Sequence, residues 1–163
     1  MMEKRPWWRG HKGEWYVVVQ FALLGWLVIG PQNVPGMAPW GEPWSVVAQV
    51  VGGVLLLAGL AMALWGVQSL GQNLTAVPHP KEDAHLVETG AYRVVRHPIY
   101  SGIVLGSVGF ALFVNGGLTL LYALVIFLFF DAKSRREERW LAERYTDYTA
   151  YQQRVHKLIP YVY

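Results

Sequence analysis

Arg96 and His97 stand directly before Pro98 in the stretch GAYRVVRHPIYSG, residues 90–102, and the chain then turns apolar. A fixed cation beside a titratable ring can hold an anion or handle a proton. Pro98 biases His97 away from helical geometry and is itself preorganised for the first position of a helix. The sequence therefore predicts a helix entry at Pro98. The unpaired N–H groups and dipole of such an entry favour anions. Arg96 alone reads equally well as an anchor to lipid phosphates. Further along, Glu137 and Glu138 form a carboxylate pair just past an apolar run. Acids close to an anionic leaflet are best explained by partners. Two partners stay open at this point: Arg96, in a structural ion pair, or a zwitterionic ligand that needs both signs of charge. Tyr92, Tyr100, Tyr145 and Tyr148 add aromatic faces, which attract onium cations.

These residues need elements to position them. The chain has 163 residues, is 53% hydrophobic and only 15% charged, and has 8 tryptophans. A single domain residing in a membrane fits that composition. Four apolar stretches follow one another: Trp15 to Gly30, Trp44 to Leu70, Ile99 to Val114 and Leu118 to Phe130. The 14 Lys and Arg residues divide as four before the first stretch, none in 31–43, three in 71–98, none in 115–117 and seven after 130. That alternation is the positive-inside pattern of four spans with both termini cytoplasmic. The basic residues flank spans and form no single basic face, so nucleic-acid binding is excluded. The absence of cysteine removes thiolate nucleophiles and cysteine metal sites. No metal is expected. The charged start lacks a small-residue cleavage pattern, so the first stretch is expected to be a retained anchor. Trp7, Trp8, Trp15, Trp40 and Trp44 sit near span ends, as interfacial belt residues do.

The expected fold is all-α: a polytopic helical bundle of about four spans with a cytoplasmic helical extension. The third and fourth stretches reach only ~24 Å and ~20 Å at ~1.5 Å per residue. A hairpin turning at Asn115-Gly116-Gly117 is the alternative to full spans. No Gly or Pro occurs between Leu118 and Ile159, so the fourth helix is expected to run on past the bilayer as one long helix, leaving it near Asp131. In that extension Lys133, Glu137, Leu141, Tyr145 and Tyr148 share one face. The face would turn toward the long 71–96 loop, or the helix would lie on the inner leaflet. Gly52, Gly53, Gly59 and Gly66, with the small-residue pair Gly102 and Gly106, predict close helix packing.

Three blocks together carry a resemblance: Gly90-x-Tyr92-x-x-x-Arg96-His97-Pro98-x-Tyr100-x-Gly102, then Glu137-Glu138-x-x-Leu141, then Tyr151-x-x-x-Val155-x-x-x-Ile159-Pro160. In this order and separation they resemble the isoprenylcysteine carboxyl methyltransferase and phospholipid methyltransferase superfamily of integral membrane enzymes. The resemblance covers about residues 68 to 163. It implies a methyl transfer from S-adenosylmethionine, bound at the cytoplasmic side, to a lipophilic acceptor such as a prenylcysteine carboxylate or a phospholipid amine.

Carried over by motif, the resemblance implies that Leu86 and Val87 offer backbone contacts to the cofactor. Tyr92, His97 and Tyr100 would line its pocket, Arg96 would orient it, and Glu137 would contact it beside Glu138. His97, Glu137 and Arg154 are the implied catalytic residues, and Lys133 and Arg154 would face the acceptor. His79 would approach the adenine. The chain is expected to form a single membrane domain, residues 1–163, with an acceptor groove in 1–70 and a cofactor-binding core in 71–163. Three departures from the pattern stand out. Lys133 replaces an arginine and lacks its bidentate fork. Tyr145-Thr146 replaces a Phe-Gly pair. The N-terminal half matches little. A membrane reductase using a nicotinamide cofactor and a non-catalytic scaffold of the same fold are the alternative readings. The chain carries no Gly-x-Gly-x-x-Gly to favour the former.

Overall fold

A computed structural model describes residues 13–36, 40–75 and 85–163. His79, Trp7 and Trp8, singled out above, lie outside the described residues. Five α-helices follow in order: α1 (Glu14–Ile29), α2 (Trp44–Leu70), α3 (Pro98–Phe113), α4 (Gly117–Arg144) and α5 (Tyr148–Arg154). Two single 3-10 turns, Gly71–Asn73 and Gly90–Arg93, lie between α2 and α3. Among the described residues there are no strands, only one isolated parallel bridge between Val95 and His156.

The four apolar stretches are helices, as expected. Helices α2 and α4 are long and apolar enough to cross a membrane, whereas α1 and α3 are apolar but have 16 residues each. The side chains of Val50, Val54, Leu57, Leu60 and Leu64 on α2 point outward, as do Leu121, Leu124 and Leu128 on α4. Apolar surface of this extent turned away from the protein marks an integral membrane protein.

Helices α2 and α3 pack backbone to backbone. A methyl group added at Gly59 would lie 2.5 Å from the Gly106 nitrogen and 2.6 Å from the Gly102 oxygen. One added at Gly109 would lie 2.5 Å from the Leu56 nitrogen. The tight stripe on α3 is thus Gly102 and Gly109, two turns apart. A methyl group at Gly106 itself would meet open space, and one at Gly53 would make only ordinary contact. Small residues drive this because lipid tails offer helices no hydrophobic reason to associate.

Helix α1 joins α3 and α4 through a small apolar core. Leu27 packs with Ile126 and Phe130, and Tyr100, Ile103 and Phe110 of α3 close around them. The orphan N–H groups that begin α4 are filled from the segment after α1. Leu118 N–H donates to the Gln32 carbonyl at 3.0 Å and Gly117 N–H to Asn33 Oδ1 at 2.8 Å.

Pro98 opens α3 as predicted, and His97, at φ −128° and ψ 64°, is its non-helical flanking residue. Helix α4 runs on unbroken past Asp131 as one long helix, as expected, but stops short of Tyr148. It ends at Arg144, Tyr145 is extended (φ −114°, ψ 116°), and α5 begins at Tyr148. No Gly or Pro marks the break; burial does. Tyr148 and Tyr151, just beyond it, are 1% and 2% exposed. Thr146 and Asp147, both weak helix formers, yield at the bend.

Candidate functional site

The entry to α3 is fixed by the end of the chain. Arg96 N–H donates to the His156 carbonyl at 2.8 Å, and His97 N–H donates to the Lys157 carbonyl at 3.1 Å. Ser101 Oγ donates to the Leu158 carbonyl at 2.6 Å. The Arg96 guanidinium reaches three acceptors: Glu138 Oε1 at 2.8 Å, the Gln152 carbonyl at 3.1 Å, and the Val155 carbonyl. Lys157 in turn donates to Asp131 on α4. A run of four residues beyond α5, Val155 to Leu158, therefore sets the height and direction of Arg96 and His97.

Neighbouring carboxylates on α4 have different duties. Successive side chains on a helix point ~100° apart. Glu138 faces the tail: it takes Arg96, His97 Nε2 at 3.1 Å and Gln152 Nε2 at 3.2 Å. A carboxylate only accepts, so the hydrogen of the His97 contact sits on Nε2. Glu137 faces a cavity. Its Oε1 accepts the Tyr100 hydroxyl at 2.5 Å, and its Oε2 lies 3.5 Å from His97 Nδ1. The His97 ring stacks on the Tyr100 ring with centroids 5.4 Å apart and planes within 2°. One turn earlier, Lys133 is 2% exposed, donates to Gln20 Oε1 of α1 at 2.7 Å, and holds its ammonium 4.9 Å from the centre of the Tyr100 ring.

The cavity measures about 260 Å³. Leu86, Val87, Tyr92, Arg96, His97, Tyr100, Lys133 and Glu137, all predicted from sequence, line it together. So do Leu141, Tyr145 and Tyr148, which complete the predicted face of α4 despite the break in the helix. Val17, Gln20 and Phe21 of α1 line it as well, as do Asn73 and His85. Asn73 and His85 are joined, the His85 N–H donating to Asn73 Oδ1 at 3.3 Å.

Burial raises the Tyr92, Tyr148 and Tyr151 phenols well above their ordinary value, with nearby carboxylates adding to the rise. All three remain neutral O–H donors at any working pH. The Tyr151 hydroxyl is spent on the Tyr92 carbonyl. The Tyr148 hydroxyl is buried and has no partner.

Two predicted residues are not brought to the cavity. Glu138 stands behind it, holding Arg96 and His97. Arg154 points away: its guanidinium pairs with Glu88 at 2.8 Å, and its side chain is 65% exposed. Sequence reasoning missed Gln20, Asn73, His85 and Tyr151. A signal did exist for Gln20, the one strongly polar residue inside the stretch WYVVVQFALLGWLVIG. A polar residue within an apolar span is a functional candidate by default.

A family model described as phospholipid methyltransferase matches residues 47–148. The match takes in all but the start of α2, so it reaches further toward the N-terminus than the three blocks above. A probable protein-S-isoprenylcysteine O-methyltransferase of Oryza sativa is 31% identical over 74% of this chain and 64% of its own length. The protein-S-isoprenylcysteine O-methyltransferase of Saccharomyces cerevisiae is 28% identical over 69% of this chain and 49% of its own. The cobalt-zinc-cadmium resistance protein CzcN of Cupriavidus metallidurans is 28% identical over 91% of this chain and 62% of its own. The chain thus spans between about half and two-thirds of the length of these relatives. The matched region contains α2, α3, α4 and every α3 and α4 residue of the cavity, and by it the chain belongs to the phospholipid methyltransferase family.

Proposed function

We propose that the protein is a membrane-embedded methyltransferase that uses S-adenosylmethionine and modifies a lipophilic acceptor bearing a carboxylate. The observation that carries this reading is a single cavity lined both by Glu137, Tyr100 and His97 and by the apolar Val17, Phe21, Ile99 and Ile103. The first group suits a charged, hydrogen-bonding molecule; the second suits an apolar chain.

The residues present fit the cofactor. Glu137 offers a carboxylate to an ammonium group, and the unpartnered Tyr148 hydroxyl offers a donor to a carboxylate or ribose oxygen. Tyr92 and Tyr145 add aromatic rings to the lining, which attract a cation. When bound, S-adenosylmethionine supplies an electrophilic methyl group on a sulfonium. The protein's contribution is then position: Tyr100 and His97 hold Glu137, while Glu138 and the tail hold His97.

Lys133 supports the acceptor class. Its ammonium donates to a neutral partner, Gln20, and lines the cavity one turn from Glu137, where it can also meet a ligand's anion. An acceptor carboxylate already carries an electron pair and no proton, so no residue need act as a base. An amine acceptor would first have to lose a proton. Arg154 is proposed to brace the 85–89 segment through Glu88 and to take no part in the reaction. The four apolar helices are proposed to cross the membrane, with both termini and the cofactor site cytoplasmic.

The test is incubation of the full chain with a farnesylated cysteine and methyl-labelled S-adenosylmethionine. Label recovered as an alkali-labile ester supports the reading. Label appearing instead on lipid amines, stable to alkali, overturns the acceptor class, and no transfer from this donor to any lipid extract overturns the activity.

A further inference from the structure

Outside the cavity, α4 carries a second concavity on its outer side. Arg136, Arg139, Trp140 and Glu143 line a cleft of about 310 Å³. The Arg136 guanidinium lies 5.0 Å from the Trp140 ring centre and 5.7 Å from that of Tyr16 on α1. Two aromatic rings thus hold it in place without neutralising it. Among the described residues no carboxylate pairs with Arg136 or Arg139. Arg135 beside them differs, being tied to Asp131 at 2.8 Å.

The location is informative. Tyr16 is in the first turn of α1, where that apolar helix begins, and Arg136 lies a turn past Asp131, where the charges of α4 begin. The cleft therefore sits at the level where apolar helices give way to polar chain. Two arginines against Glu143 leave one net positive charge. A phosphodiester with no cation of its own matches that charge, and guanidinium groups match its oxygens in geometry.

We propose that this cleft is a headgroup site for an anionic glycerophospholipid, with Arg136 and Arg139 on its phosphate and Trp140 and Tyr16 at the glycerol level. The site is separate from the cavity and does not depend on the reaction assigned to it. An annular lipid held here would fix the height of α1 and α4 in the bilayer.

Native mass spectrometry of the full chain in detergent tests the proposal, with dioleoylphosphatidylglycerol as the probe. Arg139→Gln is the leading variant, because Arg139 makes no hydrogen bond or ion pair among the described residues, and a melting curve on the same sample reports the fold. Each arginine is expected to contribute about fivefold in affinity, so Arg136→Gln/Arg139→Gln should lose roughly thirtyfold. Arg135→Gln should bind as wild type, dioleoylphosphatidylcholine should bind more weakly, and inorganic phosphate at equal concentration should not displace the lipid. Unchanged affinity in Arg139→Gln, an equal loss in Arg135→Gln, or equal binding of the choline lipid would overturn the proposal. Displacement by inorganic phosphate would make this a free-anion site and overturn it as well. S-adenosylhomocysteine binding, measured on the same samples, should be the same in all variants.

Discussion

Replacing Tyr100 by Phe removes one atom and leaves the ring stacked on His97. The atom removed is the hydroxyl that donates to Glu137 Oε1 at 2.5 Å. A hydrogen bond to a charged group contributes about 1.5–3 kcal/mol; beyond it Glu137 has His97 Nδ1 at the longer 3.5 Å and the charge of Lys133 one turn away. Without the hydroxyl, the carboxylate is free to leave the position from which it lines the cavity. If Glu137 binds the cofactor, affinity for S-adenosylhomocysteine should fall by roughly 10- to 150-fold. Calorimetry in detergent measures this directly, and a melting curve on the same sample reports the fold. A double-mutant cycle sharpens the test. Tyr100→Phe acts through Glu137, so adding it to Glu137→Gln should cost little beyond Glu137→Gln alone. Strictly additive losses, or wild-type affinity in Tyr100→Phe, would refute the reasoning.

Two more substitutions separate ligand contacts from scaffold. Tyr148→Phe removes a buried hydroxyl that has no partner in the free protein, so the melting temperature should hold or rise. The same change should lower S-adenosylhomocysteine affinity by roughly 2- to 12-fold; a loss of stability with unchanged affinity would contradict the role given to it. Arg154→Ala breaks an exposed pair with Glu88 and should cost less than about 1 kcal/mol of stability, measured by chemical denaturation, with ligand affinity within about twofold of wild type. A tenfold loss of affinity there would return Arg154 to the site.

Much of this fold is written in local signals. Pro98 sets the start of α3, and the charge alternation matches the four apolar helices. The face shared by Lys133, Glu137, Leu141, Tyr145 and Tyr148 was readable from spacing alone, and it does line the cavity. The break at Tyr145 was not readable, because no residue there forbids a helix. It arises from tertiary burial of Tyr148 and Tyr151, to which local propensity is blind. The split between Glu137 and Glu138 was hidden for a related reason. Adjacent acids differ only in the direction they face, and that direction has meaning only once the tail is in place. Arg154 followed motif order into the expected neighbourhood, but α5 turns its side chain outward to Glu88.

The carbonyls that hold Arg96, His97 and Ser101 belong to Val155, His156, Lys157 and Leu158. During synthesis the apolar helices are made, and can enter the bilayer, before those carbonyls exist. Until they arrive, the N–H groups of Arg96 and His97 and the guanidinium of Arg96 have no lasting partners. The two stages are thus separated in time: the apolar helices come first, and the contacts that fix Arg96 and His97 beside the cavity come afterwards. Damage to residues 155–158 would spare insertion of the apolar helices while releasing Arg96 and His97 from their positions.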